Sequence, residues 1–382
     1  MNEKQHKISL FRKLIYAGLL FFLVLLLSEM IVSIFYYHQY GKRKLALVEL
    51  YYSVKTKIKQ VKEEQEDKER NYRNQKLARP DSSAKMCEQV YDETITANKF
   101  EYDAWVGFRK SNYTGVYINT NGYERKTIPS LISKGNDTLV IWFFGGSTTY
   151  GFNVADNETI PSQFALLYRQ CSECKNSLVV RNFGIPYFFS YQEYKLITHL
   201  LGQNKPPDFV IIADGLNDVK YERNSIDQQP FFADQIKELM RNGSSIFDQN
   251  QKTAVHLSED EKSKKIISNY LEAVERTEDL AKRYNFKPLF VIQPVPFYKY
   301  ERQQTDPVCS KSVLPLFQSV YPQLEKKFEN HPGKLYLGNL HKDAPLIPYI
   351  DAVHYSPAFS KQIASAIFER LKPSFKEYDR SK

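Results

Sequence analysis

Ile141-Trp142-Phe143-Phe144-Gly145-Gly146-Ser147-Thr148-Thr149 is an apolar run that stops abruptly at two glycines and a hydroxyl residue. A buried parallel strand reads as a near-continuous apolar run, and open α/β sheets bind ligands beyond the carboxyl ends of such strands. Ser147 therefore stands where a nucleophile would be presented. By itself the stretch reads equally well as a tight turn with Ser147 capping the next helix, because glycine eases the turn and Ser and Thr favour that cap. Partners at the ends of other strands decide between the two.

Downstream, short apolar runs alternate with longer stretches of helical spacing. Strands are expected at Leu139–Phe144, Leu178–Arg181, Phe209–Ala213, Leu289–Ile292 and Lys334–Leu337. Helices are expected at Pro161–Gln170, Tyr191–Leu201, Lys264–Tyr284, Val313–Phe328 and Pro357–Leu371. Such alternation implies right-handed βαβ crossovers and helices on both faces of a parallel sheet, a three-layer α/β/α sandwich. Residues from about 219 to 261 interrupt it as an insertion, placed either over the site or on the surface.

Upstream, Leu14 to Tyr37 is apolar or aromatic except for Gly18, Ser28, Ser33 and the charged Glu29. That is long enough to cross a hydrocarbon core of about 30 Å, and longer than a usual signal-peptide core. A basic tail, residues 1–13, precedes this anchor. Residues 38–80 form a charged helical stalk that would hold the next domain off the membrane, and residues 81–136 a turn-rich lead-in outside the core. The α/β region runs from 137 to 382.

Residues 1–80 carry 16 Lys and Arg against 8 Asp and Glu, nearly all of the net +9. Basic charge beside an apolar span fits anionic lipid, so nucleic acid is not an expected partner. Basic residues on both sides of the span leave its orientation open, and their count alone leans toward a cytoplasmic C-terminal domain. Of Cys87, Cys171, Cys174 and Cys309, the C-x-x-C pair is a disulfide or two thiols; a structural zinc site needs four ligands and no second pair exists. No metal or cofactor is expected.

Three further signals follow apolar runs: Asn182-Phe183-Gly184, Asp214-Gly215-Leu216-Asn217-Asp218 and Asp351-Ala352-Val353-His354. Each alone reads as a turn or cap. Together with Ser147 they supply a nucleophile, a base, a carboxylate to orient it and donors for an oxyanion. Their order resembles the SGNH, or GDSL-type, serine hydrolase superfamily over about residues 137–372, with Ser147, Gly184, Asn217 and His354 as the marker residues. The anchor, the Gly145-Gly146-Ser147-Thr148-Thr149 block and Asn121-Gly122-Tyr123-Glu124-Arg125 resemble a membrane-anchored branch of it.

The resemblance implies a mainly parallel five-stranded sheet of flavodoxin-like order 2-1-3-4-5. It also implies a Ser147–His354–Asp351 triad, an oxyanion hole of the Ser147 and Gly184 N–H groups with the Asn217 amide, and an extracytoplasmic site. Gly146 departs from the usual Gly-Asp-Ser block, and since the triad acid comes from the last block the change bears on the local turn. The implied activity is hydrolysis of an ester, such as O-acyl or O-acetyl groups on an envelope or extracellular glycan. A lipid esterase or acyltransferase with the same site, and a non-catalytic glycan-binding or scaffold module on the same fold, are the alternatives.

Overall fold

The computed structural model describes residues 2–40, 46–135, 137–221, 257–300, 314–344 and 347–380. The expected insertion falls outside them from 222 to 256, and so does Cys309. The chain divides into Met1–Arg70 and Asn71–Lys382. The first unit contains the helix Asn2–Tyr40 and most of a second, Ala46–Ala78. Within the former, Ile15–Phe35 is long and apolar enough to span a membrane, and its large apolar side chains are exposed.

The second unit begins with the last turns of the Ala46–Ala78 helix and the helix Ala84–Thr96. Six short strands follow: β1 (Phe100–Asp103), β2 (Gly107–Lys110), β3 (Tyr113–Thr114), β4 (Asn119–Asn121), β5 (Glu124–Arg125) and β6 (Leu131–Ile132). Five longer-range strands come next: β7 (Thr138–Gly145), β8 (Ser177–Asn182), β9 (Phe209–Asp214), β10 (Lys287–Ile292) and β11 (Lys334–Tyr336). These last five run parallel, in the spatial order β8-β7-β9-β10-β11.

The sheet differs from the expected five strands: it has nine among the described residues. β5 and β6 pair antiparallel with β8, through Arg125 opposite Asn182 and Leu131 opposite Val179, and β4 and β3 extend the row. The lead-in is thus part of the sheet, and Val106 and Phe108 are buried in its core. Strands of two or three residues are too short to show a period of two, which is why they read as turns.

Because side chains alternate across a strand, β7 feeds both layers. Ile141 and Phe143 pack with Phe164, Phe368 and Phe375, under the helices Ile160–Gln170 and Pro357–Arg380. Trp142 and Phe144 pack on the opposite face with residues of the helices Ser190–Leu201, Glu259–Tyr284 and Leu314–Phe328. The helix Glu259–Tyr284 starts earlier than the expected Lys264. Ser258 accepts from the Glu261 amide while the Glu261 carboxylate accepts from the Ser258 N–H, a capping box that fixes the start.

Residues 150–154 are held by a buried ion pair. Arg125, fully buried, directs Nε at Asp156 Oδ1 (3.0 Å) and its remaining N–H groups at the carbonyls of Tyr150 (3.0 Å), Gly151 and Val154 (2.6 Å). Asp156 in turn accepts from the Asn119 backbone and side chain. Lys110 is equally buried, 3.3 Å from Asn98 Oδ1 and above the Phe100 ring, and burial with Arg125 nearby lowers its ammonium to about 7. Removing one member of a buried pair strands the other charge. Arg125→Ala is therefore expected to destabilise the domain by about 3–5 kcal/mol, read from chemical denaturation of the full chain.

Candidate active site

The parallel register brings the carboxyl ends of β7, β8, β9 and β10 level: Phe143 faces Asn182, Gly145 faces Ala213 and Ile292 faces Asp214. The loops leaving these ends build the site. Gly145 has φ 153°, a backbone region favouring glycine, and a Cβ there would collide with Thr149 Oγ1 and the Ala213 carbonyl. Gly146 needs its missing Cβ for another reason, since that atom would lie 2.6 Å from Asn217 Nδ2. The aspartate absent from this position would drive into Asn217. Ser147 then opens a short helix, Ser147–Tyr150, whose first N–H groups have no intrahelical acceptor.

His354 Nε2 lies 2.8 Å from Ser147 Oγ, and His354 Nδ1 lies 2.7 Å from Asp351 Oδ2. Asp351 Oδ1 accepts from the amides of Val353 (2.9 Å) and His354 (2.8 Å), so one loop orients both side chains. Phe152 covers the imidazole, with ring centroids 4.6 Å apart. Burial alone raises the Asp351 carboxyl. The neighbouring His354 charge, its ring N–H and the two amides outweigh burial and hold the group at about 2.

Asn217 lines one small cleft with Gly146, Ser147, Phe188 and Gln293. One N–H of its amide donates to the Phe188 carbonyl at 2.6 Å, leaving the second. Gly184 is placed differently from the expectation. Its N–H donates to Asn182 Oδ1 at 3.0 Å, it packs on the Thr149–Tyr150 backbone, and it is not among the residues lining that cleft. Behind the Asn217 turn, Ser190 Oγ donates to Asp218 (2.6 Å), and Glu193 is completely buried. Burial first, then the adjacent Asp214 and Asp218, push the Glu193 carboxyl well above its usual range.

Several residues here escaped the sequence reading. Gln293 accepts from Thr148 Oγ1 at 2.7 Å and so ties the Ser147–Tyr150 helix to the end of β10. Its signal was a polar residue directly after an apolar strand. Asn153 donates to Asp351 Oδ2 at 2.6 Å, from a loop with no distinguishing pattern. Cys171 and Cys174 form a disulfide well away in sequence from these loops, whereas Cys87 is a buried free thiol. Among the described residues no cluster of His, Cys, Asp and Glu has the geometry to hold a metal ion.

This arrangement can move a proton from a hydroxyl to an imidazole held by a carboxylate, next to a side-chain amide donor. No family model matches the chain, and no curated protein does. Solved structures similar to it include a lipolytic protein of the G-D-S-L family from Veillonella parvula: 14% identity, TM-score 0.38, covering 60% of this chain and 97% of that one. A carbohydrate acetylesterase family member from Sinorhizobium meliloti has 14% identity and TM-score 0.37, covering 63% and 99%. A psychrotrophic esterase from Pseudoalteromonas sp. has 14% identity and TM-score 0.35, covering 62% and 97%.

The depressed Asp351 carboxyl carries a stability signature. Its folded value, about 2, lies below the ordinary 3.8, so the stabilisation is fully present above about pH 4 and is lost as pH falls toward 2. Asp351→Asn is expected to remove about 2 kcal/mol of pH-dependent stability from that window, with denaturant midpoints at pH 5, 3 and 2 as the measurement.

Proposed function

We propose that this chain is a membrane-anchored serine esterase, with Ser147, His354 and Asp351 as its triad. The observation that carries the reading is the continuous hydrogen-bonded path from Ser147 Oγ through His354 to Asp351, at 2.8 and 2.7 Å, beside the Asn217 amide. His354 Nε2 takes the Ser147 proton as Oγ bonds to the ester carbonyl carbon. The resulting oxyanion is held by the Ser147 N–H and the Asn217 side chain. Collapse expels the alcohol, which takes the proton back from His354, and water attacks the acyl-serine by the same route.

Asp351 holds the imidazole in the tautomer whose Nε2 is free to accept, and stabilises the imidazolium that forms. Gly184 serves as a third oxyanion donor only if its N–H leaves Asn182. The Ile15–Phe35 helix anchors the chain, and the catalytic region faces the extracytoplasmic side, acting on O-acyl groups of an envelope glycan. Support for the anchor is the length and apolarity of that helix together with the basic charge around it.

Ser147→Ala and His354→Ala are each expected to abolish turnover of a short-chain aryl ester in a protein that still folds. Asp351→Asn retains weak activity. A fluorophosphonate probe labels Ser147 in the wild type, and activity of Ser147→Ala equal to wild type overturns the mechanism. Gly146→Ala, which pushes on the Asn217 amide, is expected to lower kcat by about 10²–10³, the usual cost of losing one oxyanion donor.

A further inference from the structure

Asp351 also has support from outside its own loop: Asn153, which follows the Ser147–Tyr150 helix. Asn153 Nδ2 donates to the same Oδ2 that accepts from His354 Nδ1. With two amides on Oδ1, the carboxylate then accepts four hydrogen bonds. Asn153 stands in the left-handed region, φ 68°, which a short amide side chain tolerates better than most. Its own Oδ1 is buried and accepts no hydrogen bond. A buried amide left half-satisfied is costly, and here its donor end is aimed at the one carboxylate next to the imidazole.

What holds Asn153 there comes from far upstream. Its carbonyl accepts from Gln75 Nε2 at 3.1 Å and from Arg79 Nη2 at 3.2 Å. Gln75 Oε1 accepts from Arg79, and Arg79 also pairs with Glu158, whose carboxylate accepts from the Ala155 amide. Gln75 and Arg79 are buried. On the other side of the loop, Arg125 holds the carbonyls of Gly151 and Val154. The segment 151–154 is thus gripped from two sides, and its one inward amide points at Asp351.

We propose that Asn153 is a positioning residue that fixes the Asp351 carboxylate and through it the His354 ring, and that Gln75 and Arg79, at the end of the Ala46–Ala78 helix, set the position of Asn153. The kinetic consequence rests on the serine esterase reading; the effect on the imidazole does not. The charges that face this assembly are Asp351 itself, Lys220 from the Leu216–Lys220 helix, whose ammonium is within electrostatic reach of Asp351, and the Arg79–Glu158 and Arg125–Asp156 pairs behind the loop.

The test uses the full chain in detergent micelles, with deuterium exchange at the His354 Cε1–H followed by mass spectrometry as a readout of imidazole titration, and aryl-ester kinetics in parallel. Asn153→Gly keeps the left-handed backbone and strips one donor from the Asp351 carboxylate, leaving more of its negative charge to the imidazole. It is expected to raise the His354 midpoint and to move the acid limb of kcat/KM upward with it. The same variant is expected to lower kcat about 10-fold at unchanged KM, the scale of a hydrogen bond to a charged group. Gln75→Met lowers kcat less, and the double variant Gln75→Met/Asn153→Gly falls no further than Asn153→Gly, because both act through one contact.

A His354 midpoint in Asn153→Gly equal to that of the wild type overturns the proposal, as does full additivity in the double variant. If Ser147→Ala keeps its ester turnover while Asn153→Gly still shifts His354, the esterase reading falls and the positioning role stands.

Discussion

A guanidinium removed from water needs hydrogen-bond partners, and Arg125 finds four in Asp156 and three carbonyls of residues 150–154. Those carbonyls have nowhere to turn once they are taken, so the path of residues 150–154 is set by a side chain from the lead-in. Phe152 is thereby laid over the His354 ring and Asn153 is aimed at Asp351. Ser147 and Asn217 follow the ends of parallel strands, but the loop beside them is held from the antiparallel part of the sheet.

The same division explains what could be read from the chain. Ser147, Asn217, Asp351 and His354 stand out in the sequence because the first two follow closely on apolar strands and the last two share one short loop before a helix, and the fold brings Ser147, His354 and Asp351 into one hydrogen-bonded line. The five parallel strands and their helices were legible for a related cause, since each buries a run long enough to show its pattern. Lead-in strands of two to four residues bury too little to do so. Arg125, Gln75 and Arg79 donate to backbone carbonyls, and a carbonyl carries no residue identity to reveal the contact, while Asn153 reaches Asp351 across 198 residues of sequence.

Gly184 shows the limit from the other side. A glycine after a strand was read as a place where a backbone N–H could approach a ligand, yet the close approach it permits is to the Thr149–Tyr150 backbone, and its N–H is spent on Asn182. Lack of a side chain identifies crowding without saying what is crowded. Gly146 makes the complementary point, because the atom it makes room for is the Asn217 amide itself.

β8 has β7 along one side and β5 and β6 along the other, so every long strand at that end of the sheet is enclosed by the chain's own earlier residues. A fragment trimmed to the alternating α/β portion would lay bare the Ser177–Asn182 backbone, with the sequence Ser-Leu-Val-Val-Arg-Asn, as an open edge. Such an edge is a template for pairing with another molecule. The lead-in therefore also serves as a guard against self-association, and the natural place to divide this protein lies well before the first apolar strand, ahead of Gln75.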